Sequence, residues 1–181
     1  MKSERRPRLL EGEALLEYAL RALSARDHTV GELREKLCRR AASAEEAEAV
    51  MGRLRRQGYL DDRRLAEGYA AARLENEGVG KIRVLHELRR RRVAPATAER
   101  AVEQVYRDAD EGRLIEEFLR RKYRKTPLET LLSEPKGVAA AYRRLRGAGF
   151  RAASVLSVLR RLTRDPELLW PLERQQSEDP D

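Results

Sequence analysis

The chain has 181 residues, 39% of them charged and only 5% aromatic, with 39 Lys and Arg against 31 Asp and Glu for a net charge of +8. That length allows one or two ordinary domains, and the abundance of Ala, Leu, Arg and Glu with little alternating apolar pattern excludes a sheet protein in favour of an all-α one. One cysteine, Cys38, excludes an internal disulfide, and no run approaches the roughly 20 apolar residues that span a bilayer.

A first helix is predicted over residues 13–25, with Leu16, Ala19, Leu20 and Leu23 on its inner face. The second starts at Thr29, where Thr29 and Glu32 form a capping box, and Ser43 with Glu46 is expected to repeat the device at the third. Cys38 falls among the apolar positions of the second helix and is expected to be buried. Gly58 stands just past the third helix, where a left-handed residue closes the last turn, and Tyr59 is expected to fold back as its apolar lid. Asp61 and Asp62 open a fourth helix, favoured by the positive end of the helix dipole, with Leu65, Tyr69 and Ala72 facing inward.

After a break at Gly78 and Gly80 a fifth helix runs through Leu88, and Pro95 takes the first position of the sixth. The next begins near Asp110 with Leu114, Phe118 and Leu119 inward; Thr126, Pro127 and Glu129 then start a short extra helix that Pro135 and Gly137 end. Beyond Arg164, Pro166, Pro171 and Pro180 with six acids against Arg174 predict a short helix and a loose acidic tail. The stretch 1–8 is basic but is not followed by the apolar segment of a secretory signal, so a cytoplasmic protein is expected.

One helical pattern comes round three times. Counting 10, 13, 14 and 17 residues forward from Leu37, Leu88 and Leu145 gives Ala47, Val50, Met51 and Leu54, then Ala98, Ala101, Val102 and Val105, then Val155, Val158, Leu159 and Leu162. All are apolar, at the spacing of one helix face. The expected organisation is three tandem three-helix repeats in an elongated, curved array, over residues 13–60, 61–108 and 109–164, the third with an inserted helix near 127–134, followed by an acidic tail over 165–181.

Positive charge concentrates in the second and third repeats. Residues 81–92 hold six basic side chains and one acid, 113–125 six and two, and 143–164 seven and none. The candidate positions for an anionic partner are Lys81, Arg83, Arg89, Arg90, Arg120, Arg121, Lys122, Arg124, Arg143, Arg144, Arg160 and Arg161. A base-reading helix-turn-helix fits poorly, because Glu45, Glu46 and Glu48 open the last helix of the first repeat and Glu99 and Glu103 lie on that of the second; only the helix opening at Arg151 suits it. No catalytic, metal or cofactor motif is present: His28 and His86 stand in no ligand spacing, and Asp61 and Asp62 point about 100° apart on a helix. A binding protein is expected, not an enzyme.

Tyr18, Ala19, Leu20, Leu23, Ser24, Arg26, His28, Thr29, Glu32, Leu33 and Leu37, then Gly58, Tyr59, Leu60, Asp61, Asp62, Leu65, Ala66 and Tyr69, then Gly80, Ile82, Glu87 and Leu88 resemble the RecX family of RecA regulators. Gly58, Tyr59, Leu60, Asp61 and Asp62 form its most specific element, expected to join the first two repeats. The resemblance implies negative control of the RecA recombinase by lodging in the groove of its filament on DNA, impeding filament growth, ATP hydrolysis and strand exchange, in DNA recombination, repair and the SOS response. It implies a monomer without cofactors, off the membrane, that touches single- and double-stranded DNA weakly and without sequence specificity. The family's basic-glycine-apolar turn reads Arg40, Ala41, Ala42 in the first repeat and Arg91, Arg92, Val93 in the second, so the usual left-handed glycine is missing from both. The alternatives are a free-standing binder of the phosphate backbone, set apart by its salt sensitivity, and a nuclease, which lacks clustered carboxylates.

Overall fold

A computed structural model describes residues 9–178, and among them it is all helical, the only sheet-like pairing being a bridge between Leu10 and Ala41. The helices are α1 (Gly12–Ala25), α2 (Val30–Cys38), α3 (Ala44–Arg56), α4 (Asp62–Glu77), α5 (Lys81–Arg90), α6 (Pro95–Val105), α7 (Glu111–Lys122), α8 (Leu128–Leu131), α9 (Pro135–Gly147), α10 (Ala152–Leu162) and α11 (Trp170–Glu178), with a 3-10 turn at Pro166–Leu169. The chain divides into two compact units, one holding residues up to Ala66 together with Leu88–Ala98, the other Glu67–Glu87 and everything from Glu99.

In the first unit α1, α2 and α3 bury Leu15, Leu16, Ala19, Leu33, Leu37, Ala47, Val50, Met51 and Leu54 in one core. Thr29 and Glu32 form the reciprocal capping box at the start of α2. At α3 only half of that device exists: Ser43 accepts from the Glu46 N–H, but the Glu46 carboxylate turns away to accept from the Gly12 N–H at 2.8 Å, closing the free N-terminus of α1. Of the inner face predicted for α1, Leu16 and Ala19 are buried and Leu20 and Leu23 pack half-buried against the same core, while Leu15 and Ala22 complete the buried stripe.

Three further expectations are corrected. Gly58 is left-handed at φ 75° and the Tyr59 N–H reaches the Leu54 carbonyl, but the Tyr59 ring is 54% exposed and Leu60 packs on the core in its place. Cys38 is exposed, because it follows Leu37 by one residue and so points about 100° off the buried stripe. Ala72 of α4 is exposed as well; Ala66 and Ala70 are buried and Leu65 and Tyr69 half-buried.

In the second unit Ile115, Phe118, Leu119, Val138, Leu145, Phe150, Val155 and Leu159 form the centre, with Phe118 meeting Phe150 edge-on at 5.8 Å. The inserted helix stops at Leu131, and Pro135 begins α9 instead of ending α8, the first helical turn being where a missing N–H costs nothing. Gly137 permits the crossing, since a Cβ there would stand 1.8 Å from the Leu131 carbonyl oxygen. Leu169 of the 3-10 turn is fully buried, and the short helix that the sequence predicts beyond Arg164 is α11, which reaches Glu178. The rest of the expected acidic tail, residues 179–181, and the basic stretch 1–8 lie outside the described residues.

Candidate interaction surface

Much of the predicted basic surface is already paired. Glu87 on α5 is a hub: it accepts from the Tyr69 hydroxyl at 3.0 Å, from Arg73 Nε at 2.8 Å and Nη2 at 2.6 Å, and from Arg83 Nε at 3.0 Å. Burial pushes this carboxyl up, but the hydrogen bonds from Arg83, Arg73 and Tyr69 outweigh it and hold the group below its ordinary value. Lys81 pairs with Glu103 at 3.0 Å. Arg91 bonds the Glu32 carboxylate and Arg92 pairs with Glu35 at 2.9 Å; both lie past the end of α5, so the four consecutive arginines do not share one helical turn. Arg89 and Arg90 are exposed in the last turn of α5, where cations favour the helix dipole.

Around α7 the same accounting separates structural cations from available ones. Arg120 and Arg161 share Glu116, whose carboxyl is lowered mainly by the Arg161 hydrogen bond, and Arg160 pairs with Glu173 of α11. Arg121 and Lys122 each stand 5.6 Å from the Phe118 ring, and Arg121 also donates to the Glu77 carbonyl. Arg144 of α9 lies 5.3 Å over the Tyr123 ring, which sets it beside the segment leaving α7. Arg124, Lys125 and Arg143 are exposed and, with Arg144, make no ion pair among the described residues. Of the predicted set the fold thus leaves Arg90, Arg124, Arg143 and Arg144 open to an anion, and Lys125, which the set did not include, joins the last three.

The N-terminus of α10 is occupied from within the chain. The Arg151 N–H donates to Glu111 Oε1 at 3.1 Å and the Ser154 hydroxyl to Glu111 Oε2 at 2.7 Å, so a carboxylate already occupies the N-terminus where a phosphate would sit. Asp61 and Asp62 serve different backbone donors, Asp61 the Arg64 N–H at 2.9 Å and Asp62 the Val30 N–H at 2.8 Å. Burial raises the Asp62 carboxyl despite that bond. His28 is buried against the Arg26 carbonyl and His86 is exposed, and no group of three or more His, Cys, Asp or Glu gathers as a metal site among the described residues. Sequence reasoning missed Arg73 as an anchor of Glu87, although its place four residues after Tyr69 puts both on one face of α4.

The models of the first and second three-helix domains of RecX match residues 16–54 and 61–102. A regulatory protein RecX of Thermus thermophilus is 36% identical over 151 residues, which cover 82% of this chain and 92% of that protein. That of Deinococcus radiodurans is 35% identical over 147 residues, covering 80% and 68%. The crystal structure of RecX from Lactobacillus salivarius aligns with a TM-score of 0.67 over 83% of this chain and 95% of its own, and its 18% identity speaks for the fold alone. With aligned helices and more than a third of positions shared over nearly the whole Thermus relative, this chain belongs to the RecX family of regulatory proteins.

Proposed function

We propose that the chain regulates a RecA-class recombinase by binding the filament that the recombinase forms on DNA, and that it restrains filament growth, ATP hydrolysis and strand exchange without catalysis of its own. It works in the cytoplasm as a monomer, in recombination, repair and the SOS response, and holds DNA weakly without regard to sequence. Family membership supports the regulatory role. The observation that carries the DNA component is the cluster Arg124, Lys125, Arg143 and Arg144, exposed and without carboxylate partners among the described residues.

The test is the DNA-dependent ATPase of RecA with this chain titrated in. Inhibition is expected at amounts well below one chain per RecA protomer; its absence removes the proposal. The same four cations favour a second reading, a binder of the phosphate backbone alone. Such a binder loses orders of magnitude in affinity between about 50 and 200 mM salt, whereas inhibition through a protein filament persists across that range.

A further inference from the structure

Between α5 and α6 lies a groove of about 410 Å³ whose floor is aliphatic, made by the half-exposed Ile82 and Leu85 with the buried Val102. The repeat does not require these residues: at the same register before Leu37 stand Gly31 and Arg34, and before Leu145 stand Ala139 and Tyr142. The second copy alone places two branched aliphatics there. Its rim carries both signs, with Glu99, Arg100 and Glu103 along α6 and the Lys81–Glu103 pair across the top.

This chemistry selects among partners. An aliphatic floor gives a nucleobase nothing to stack on, and the Glu99 and Glu103 carboxylates interrupt Lys81, Arg100 and Arg151, so the rim is not the continuous basic track that a phosphate backbone follows. An amphipathic peptide segment satisfies both features, seating an apolar side chain on the floor and offering a carboxylate to the exposed Arg100. We infer that the α5/α6 groove docks an amphipathic segment of a protein partner, with an apolar residue against Ile82 and Leu85 and a carboxylate facing Arg100. That the recombinase protomer supplies the segment rests on the function proposed above. The protein component of the filament is then held by this groove, and the DNA component by the unpaired cations of the third repeat.

Leu85→Arg installs the residue that the first repeat carries at the same register, where Arg34 is exposed, so the fold is expected to tolerate it. Arg100→Glu reverses an exposed rim charge and leaves the floor intact. Wild type and both variants are compared in RecA ATPase inhibition and in fluorescence anisotropy with a labelled oligothymidylate. The concentration for half-inhibition is expected to rise about tenfold for Leu85→Arg, the loss of one apolar anchor, and severalfold for Arg100→Glu, with thermal melts and oligothymidylate affinity unchanged. Wild-type inhibition by both variants overturns the groove and leaves the proposed function standing, whereas a wild type that fails to inhibit overturns both. A parallel loss of oligothymidylate binding makes the groove a nucleic-acid surface and overturns the inference. Where Leu85→Arg melts early, Arg100→Glu decides.

Discussion

Single side chains in this protein do their work mainly by sharing a carboxylate. Arg73 and Glu87 are only 16% and 19% exposed, so neither keeps full hydration and each depends on the other. Replacing Glu87 by Gln removes the carboxylate that Tyr69, Arg73 and Arg83 share and leaves the half-buried Arg73 guanidinium with Glu77 as its carboxylate partner. The expected cost is about 2 kcal/mol at neutral pH, read from urea unfolding. Because the folded carboxyl titrates below its ordinary value of 4.5, its contribution is complete above that pH and is lost as pH falls through the folded value. The stability gap between wild type and Glu87→Gln is therefore expected to stay constant at higher pH and to narrow in acid. A gap that holds unchanged into acid would remove the ionised hub. Tyr106 differs in kind: its buried hydroxyl donates to the Val79 carbonyl at 2.8 Å, and burial pushes the phenol up to about 12.

Elements meet by a joint that recurs at one register. In the first unit the Thr29 hydroxyl donates to the Arg91 carbonyl, and in the second the Gly80 N–H donates to the Ala148 carbonyl at 2.9 Å and the Ile82 N–H to Gly149 at 3.2 Å. Thr29 and Gly80 both stand eight residues before their anchor leucine, and Arg91 and Ala148 three after the next one. Each joint needs backbone against backbone, and each uses a left-handed residue, Arg92 at φ 61° in one and Gly149 at φ 86° in the other. Since Arg92 keeps a side chain, the room comes from Gly31, where an added Cβ would stand 2.4 Å from Arg92 Cβ and 2.7 Å from its carbonyl oxygen.

Gly31→Ala is expected to lower stability by about 2 kcal/mol, since backbone must move. Gly68→Ala, in mid-helix with nothing within 4 Å, should raise it by about 0.5 to 1 kcal/mol. Urea midpoints of the pair read opposite signs; equal small shifts would mean that the joint yields. The Thr29 box and the Gly58 turn were legible in sequence because their partners lie within a few residues. The missing glycine at Arg92 was legible too, but not its compensation at Gly31, which is remote along the chain. Glu46 misled for the same reason, its carboxylate going to the remote Gly12 N–H, whereas Tyr59 and Cys38 were decided locally: Leu60 packs on the core in place of Tyr59, and Cys38 lies one residue off the Leu37 stripe.

For the molecule as a whole, net charge is a poor guide to binding until ion pairs are subtracted. Of the twelve basic positions that the sequence nominates, Lys81, Arg83, Arg120, Arg160 and Arg161 hold carboxylates of their own chain. Reversing Arg160 would therefore break its pairing with Glu173 and disturb α11 along with any ligand, which confounds it as a probe. Arg124, Lys125 and Arg143 carry no such burden. Exposed and outside the core, their joint reversal to Glu is expected to leave the thermal melt within a degree or so of wild type, as surface substitutions do. If they carry the DNA contacts, oligothymidylate affinity at low salt should fall at least about tenfold, and the slope of log affinity against log salt should flatten by about two, near the 0.7 per phosphate of single strands. The two readouts separate the causes: a lower affinity with an unchanged slope indicates a distorted surface, not lost phosphate contacts. An unchanged affinity would move the DNA contacts away from these three residues.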